Sequence, residues 1–278
     1  MDRIPTGPLE HDLARFMQLL EAVRDAALDD QHWKLVSISL ASERLIDPLA
    51  VLESIYETGD RHCYIEHPES GEALAGAEAV IERTFSGSER FAKARDFARE
   101  LFEHTVAVGQ LDLPLAGPKL FCAFTFEDEA APDAPFAPAT LFIPRWQVSA
   151  KDGAYVATAN LLVTPEGDPA EQARRALEAH KKFSSFAYAR ASGPEGAPEG
   201  ELRETKAAWY ANAVEKALGE IRSGSCSKLV ISRSESFISE KPLHPLATLS
   251  RLRDAYPSCH CFSFAGKDGL SFIGATPE

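Results

Sequence analysis

Residues 191–201 (ASGPEGAPEGE) hold three glycines, two prolines and no side chain suited to a core. Such a run cannot lie inside an element, because proline removes a backbone donor and glycine loses the most entropy on ordering. It reads as a surface linker, and it forces the stretches on either side to find their own hydrophobic periodicity. The expected organisation is an N-terminal α/β region over residues 1–190, a linker over 191–201, and the start of a second domain over 202–278. A chain of 278 residues can hold one large domain or two ordinary ones.

Before the linker, helical and strand periods alternate. Residues 8–27 place Leu9, Leu13, Phe16, Leu20 and Val23 at helical spacing, and residues 35–40 switch to a period of two. Asp47-Pro48 reads as an N-cap followed by proline at the first helical position. Residues 64–67 predict a short strand and 68–71 a turn. Residues 88–106 predict a helix with Phe91, Ala94, Ala98, Leu101 and Phe102 on one face. Residues 120–126 predict a strand, 130–138 a loop, 140–143 a strand ended by Pro144, and 155–163 a further strand. Asp168 caps a predicted helix running to about His180.

After the linker, residues 204–222 predict an amphipathic helix with Tyr210, Val214, Ala217, Leu218 and Ile221 inward, stopped by Gly224. A strand follows over 228–232, a helix over 245–255 and a strand over 259–264. A tight turn over 266–269 leads into a return strand over 270–274. The fold class this implies is α/β of the α+β type, with largely antiparallel sheets flanked by helices.

Composition narrows the function classes. The net charge is −13, and the longest basic cluster is Lys181-Lys182, so nucleic-acid binding is not expected. No apolar run approaches a membrane span, and the N-terminus shows no apolar leader, which makes the cytoplasm the expected compartment. The five cysteines include Cys259-His260-Cys261, which is not a zinc spacing, so reduced thiols along a strand are expected. His62, His67, His180, His244 and His260 lie in no metal-ligand spacing and read as caps or surface groups. The glycines of the linker form no phosphate loop, since no strand runs into them. Ser232 and Thr276 read as packing or turn residues, and Arg233 as the partner of a nearby carboxylate.

Two residues could carry acid–base chemistry. Lys228 opens an apolar stretch, and Glu278 follows another. On composition alone Lys228 is a solvated strand-edge charge. A lysine acts as a base near neutral pH only if desolvation lowers its pKa from ~10.4 to about 7. A carboxyl group acts as an acid there only if burial or a neighbouring anion keeps it protonated.

The segment Trp209-x₄-Val214-x₂-Ala217-Leu218-x₂-Ile221-x₂-Gly224, followed by Lys228-Leu229-Val230-Ile231-Ser232-Arg233, resembles the opening of the chorismate-binding domain. Phe272-Ile273-Gly274-Ala275-Thr276-Pro277-Glu278 resembles a second motif of the same enzymes. Upstream, Asp47-Pro48-Leu49-Ala50, the run from Tyr64 to Leu74-Ala75-Gly76, and Phe142-Ile143-Pro144-Arg145-Trp146 are similar to the N-terminal half of isochorismate synthases, the menaquinone type above all.

The resemblance implies an isomerase. Lysine at position 228 separates water-using isochorismate and salicylate synthases from the anthranilate and aminodeoxychorismate synthases, which carry glutamine there. It implies Lys228 as general base and Glu278 as general acid on chorismate, with Mg²⁺ on the substrate carboxylate. The metal ligands are expected in a continuation beyond Glu278, so this stretch on its own is expected to be inactive. A monomer is expected. Salicylate synthase, or a non-catalytic binding module, are the alternatives.

Overall fold

The structure is a computed structural model that describes residues 13–55, 57, 59–131, 134–185, 199–204, 207–266 and 269–277. Its elements are α1 (Leu13–Asp30), β1 (Lys34–Ala41), α2 (Pro48–Ile55), β2 (His62–His67), β3 (Glu72–Phe85) and α3 (Arg90–Glu103). Next come β4 (Thr105–Gly109), β5 (Phe121–Phe124), β6 (Ala139–Lys151), β7 (Ala154–Val163) and α4 (Pro169–Ser185). The remainder is β8 (Gly200–Glu204), α5 (Ala207–Arg222), β9 (Glu235–Ser239), α6 (Pro245–Ala255), β10 (His260–Ala265) and β11 (Ser271–Thr276). Two compact units result: Met1–Gly193 together with Pro245–Glu278, and Pro194–His244.

The larger unit is built on one mixed sheet. Among the described residues its order is β11-β10-β2-β3-β6-β7-β1-β4, with β5 also on β6. Only the β1–β4 pair is parallel; the other ladders are antiparallel. Alternation along each strand sends Val36, Ile38, Leu40 and Leu161 under α1 and α4. On the same face Ala73, Ala75, Tyr64 and Cys261 lie under Leu49 and Leu52 of α2 and Leu246 and Leu249 of α6. The opposite face packs Leu35, Ile81, Leu141 and Ile143 against Ala94, Phe97 and Leu101 of α3.

Local chemistry explains most boundaries. Asp47 Oδ1 accepts from Leu49 N at 3.0 Å, which starts α2 with Pro48 at the first position. Asp168 Oδ1 accepts from Ala170 N at 3.0 Å at the head of α4, which runs on to Ser185. The β6–β7 turn is Asp152-Gly153 with φ of 52° and 76°, the left-handed pair that closes a two-residue hairpin.

Four expectations need correction. The strand at residues 140–143 does not end at Pro144 but continues to Lys151. Proline is tolerated here because β3 bulges opposite it, between Ala79 and Ile81. The other edge of β6 also changes partner at this point, from β5 to β7. The helix expected over 88–106 stops at Glu103, because Thr105 to Gly109 pair with β1. Its buried face carries Phe97, while Phe91 and Phe102 are exposed. The helix expected from residue 204 starts at Ala207, and residues 200–204 form a strand instead. Finally, residues 228–232 are not a strand. They have no ladder partner among the described residues, and the neighbouring strand is β9, from Glu235.

The smaller unit pairs β8 with β9, from Gly200 opposite Ser239 to Glu204 opposite Glu235. Its apolar side chains are poorly covered: Leu202, Trp209, Leu218, Val230, Phe237, Ile238 and Leu243 are all exposed. The expected inward residues Tyr210, Val214, Ala217 and Ile221 are only half-buried. The linker expectation falls, up to residue 198, outside the described residues. No helix among the described residues is long and apolar enough to cross a membrane.

Candidate active site

The Glu278 motif ends the β10–β11 hairpin. Gly266 N donates to Leu270 O at 2.8 Å to close the turn, and Gly269 takes a φ of 75°. The register sets Phe262 opposite Gly274, Cys261 opposite Ala275 and His260 opposite Thr276. A Cβ on Gly274 would stand 2.5 Å from Phe262 Cζ, so the motif glycine leaves room for a ring laid across it. Pro277, with no N–H to donate, follows the last strand residue. Glu278 itself lies outside the described residues.

The hairpin joins the sheet through β2, where Cys261 pairs with Glu66 and Ser263 with Tyr64. His62 is buried and its Nε2 lies 3.1 Å from Ser263 Oγ, so it is a core histidine rather than the surface or cap group expected. Its burial follows from the alternation of β2. His67 does act as a cap, its Nδ1 accepting from Ser70 N at 3.2 Å. Arg61 crosses the same region, donating to Ala265 O at 2.7 Å and, through two nitrogens, to Glu82 at 2.6 and 3.1 Å.

A buried ionic cluster sits under the hairpin. Arg253 of α6 donates from Nη1 and Nη2 to Asp47 Oδ1 and Oδ2 at 2.9 and 2.7 Å, and Nη1 is 3.6 Å from Glu66 Oε2. Burial opposes the guanidinium charge, and the bonds to Asp47 outweigh it, so its pKa is raised. Burial, and then the carboxylates of Glu66 and Asp47, push the Tyr64 hydroxyl well up. Burial, followed by Glu66, pushes the Cys261 thiol up to about 11. Sequence reading did not single out Arg253. The signal was present: Leu246, Leu249, Ser250 and Arg253 follow one helical stripe, and all are buried.

In the smaller unit, Lys228 and Ser232 are exposed. Arg233 does pair with a carboxylate, Glu235 Oε1, at 2.6 Å, and lies over the Tyr210 ring at 5.4 Å. All five cysteines are free thiols. Among the described residues no group of three His, Cys, Asp or Glu side chains comes together to hold a metal.

A mixed sheet with helices on both faces, with Gly274-Ala275-Thr276 in the last described strand, defines a class that sequence comparison identifies. The family model described as "Chorismate binding enzyme" matches residues 19–278. This chain belongs to the chorismate-binding enzyme family. It is 25% identical over 278 residues to the protein named "Salicylate biosynthesis isochorismate synthase" from Pseudomonas aeruginosa, covering 96% of this chain and 56% of that one. Among solved structures it resembles the menaquinone-specific isochorismate synthase MenF from Escherichia coli, with a TM-score of 0.53 and 16% identity. That match covers 93% of this chain and 55% of the other, and it bears out the α/β fold. The chain thus spans about half the length of the relatives it matches.

Proposed function

We propose that this chain carries the acid–base residues of an isochorismate synthase of the menaquinone type. The observation that carries the reading is lysine at position 228 together with the Gly274-to-Glu278 motif, both inside the span of the family match. In this reading the Lys228 amine removes a proton from water as its oxygen attacks C2 of chorismate. Glu278 protonates the C4 hydroxyl, which departs as water while the ring double bonds shift. Each role answers a physical need: water is a weak nucleophile until deprotonated, and hydroxide a poor leaving group until protonated.

Lys228 stands exposed over the residues at hand, whereas a working base must be shielded from water. The chain spans about half the length of its relatives, and in this reading Lys228 must become desolvated when chorismate binds. The Mg²⁺ implied by the resemblance would neutralise the substrate carboxylate; no group of three His, Cys, Asp or Glu among the described residues would hold it.

Chorismate with Mg²⁺ is the assay, run on the full polypeptide that carries this sequence. Isochorismate is the expected product, lost in Lys228→Ala and Glu278→Gln with the circular dichroism spectrum unchanged. Salicylate plus pyruvate would make the protein a salicylate synthase. Tight chorismate binding without turnover would make it a binding module. Undiminished turnover by Lys228→Ala would refute the base assignment.

A further inference from the structure

Asp47 serves two helices that lie far apart in the sequence. It caps α2 through Leu49 N, and its two oxygens hold the Arg253 guanidinium of α6 in a paired, parallel arrangement. The Arg253 side chain is 3% exposed and that of Asp47 11%. One face of the sheet runs without interruption from this pair to the catalytic motif. Glu66, beside Arg253, pairs in register with Cys261, and Cys261 pairs with Ala275. Leu246 and Leu249 of α6 pack in the same cluster as Ile273 and Ala275 of β11. β11 ends the strand order, and β10 is its one lateral partner among the described residues.

We propose that the Arg253–Asp47 pair is a positioning latch for the reaction. It pins α6 onto α2, and through α6 it holds the β10–β11 hairpin, so the strand end leading to Glu278 keeps one position. The proposal rests on the reading of Glu278 as the acid. A misplaced acid costs rate even when substrate binding is intact, because proton transfer needs hydrogen-bond reach. Removing the Asp47 charge leaves the buried guanidinium with only the longer contact to Glu66, at 3.6 Å. Lysine cannot replace the arginine fully, because a single ammonium does not match both carboxylate oxygens at once.

Three variants test it. Asp47→Asn keeps an oxygen to cap α2 but discards the charge; Arg253→Met keeps volume; Arg253→Lys keeps charge. Hydrogen exchange and chorismate turnover are both read on the full polypeptide. In Asp47→Asn, β11 amides should exchange about 100-fold faster, as expected for a broken buried pair. Amides of β1, in the other core cluster, should change by no more than about threefold. Turnover should show kcat lowered about tenfold or more at nearly constant KM. Arg253→Lys should recover part of both effects. If Arg253→Met does not fold, Asp47→Asn carries the test alone. Unchanged β11 exchange, equal acceleration of β1 and β11, or a raised KM at constant kcat would each overturn the latch. Full turnover in Glu278→Gln would remove the acid reading instead, and the exchange result would still stand.

Discussion

Gly274 offers a test in which one substitution should change sign with its surroundings. Its backbone is not in the left-handed region, so its role is space rather than conformation. A Cβ there would lie 2.5 Å from Phe262 Cζ and 2.8 Å from Cε1. Carbon atoms prefer 3.5–4.0 Å, roughly, so the ring must move by about 1 Å. Overpacking of this kind costs about 1–3 kcal/mol. Phe262 is only half-buried and also leans on Phe272, with ring centroids 5.4 Å apart, so the lower half of that range is expected. Without the ring the balance reverses, because alanine in a strand is favoured over glycine by roughly 0.5–1 kcal/mol. Gly274→Ala should therefore destabilise the natural sequence by about 1–2 kcal/mol. In a Phe262→Ala background it should be neutral or stabilising by up to about 1 kcal/mol. Urea unfolding followed by circular dichroism on the four proteins of the cycle measures the coupling. The same loss in both backgrounds would refute the steric account of the motif glycine.

Two further outcomes follow from the same structure. Gly109 has a φ of 96° and would place a Cβ 2.1 Å from Ser39 O, whereas Gly153, with a φ of 76°, has open space. Gly153→Ala should cost about 1–2 kcal/mol and Gly109→Ala at least ~1 kcal/mol more by thermal or urea unfolding; equal losses would contradict this. The Cys261 thiol is held up to about 11, above its unfolded value of ~8.5. The stabilisation linked to the neutral thiol is thus complete below about pH 8.5 and lost as pH rises through about 11. Cys261→Ala should flatten the alkaline part of the stability profile, and an unchanged slope would argue against the assignment.

Local rules made much of this protein legible. The caps at Asp47 and Asp168 and the extended runs of β1 and β7 are set by neighbours within a few residues, so a sequence reveals them. The two motifs were equally visible, because the spacing from Lys228 to Glu278 is a property of the chain alone. Pro144 was misread because proline stops a strand only where its missing N–H is needed. The β3 bulge and the change of partner from β5 to β7 belong to other segments.

What the sequence determined by itself was which segments are helical or extended where the local pattern is strong, and which residues could exchange protons. Only the tertiary structure decided that β10 would pair with β2, so that the hairpin leading to Glu278 shares a sheet with the N-terminal strands. It alone made Arg253 the buried partner of Asp47, and it left residues 228–232 without a ladder partner among the described residues. The physical reason is common to all three. A strand is stable only with a partner, and a buried charge only with its counter-charge, and that partner can lie anywhere along the chain.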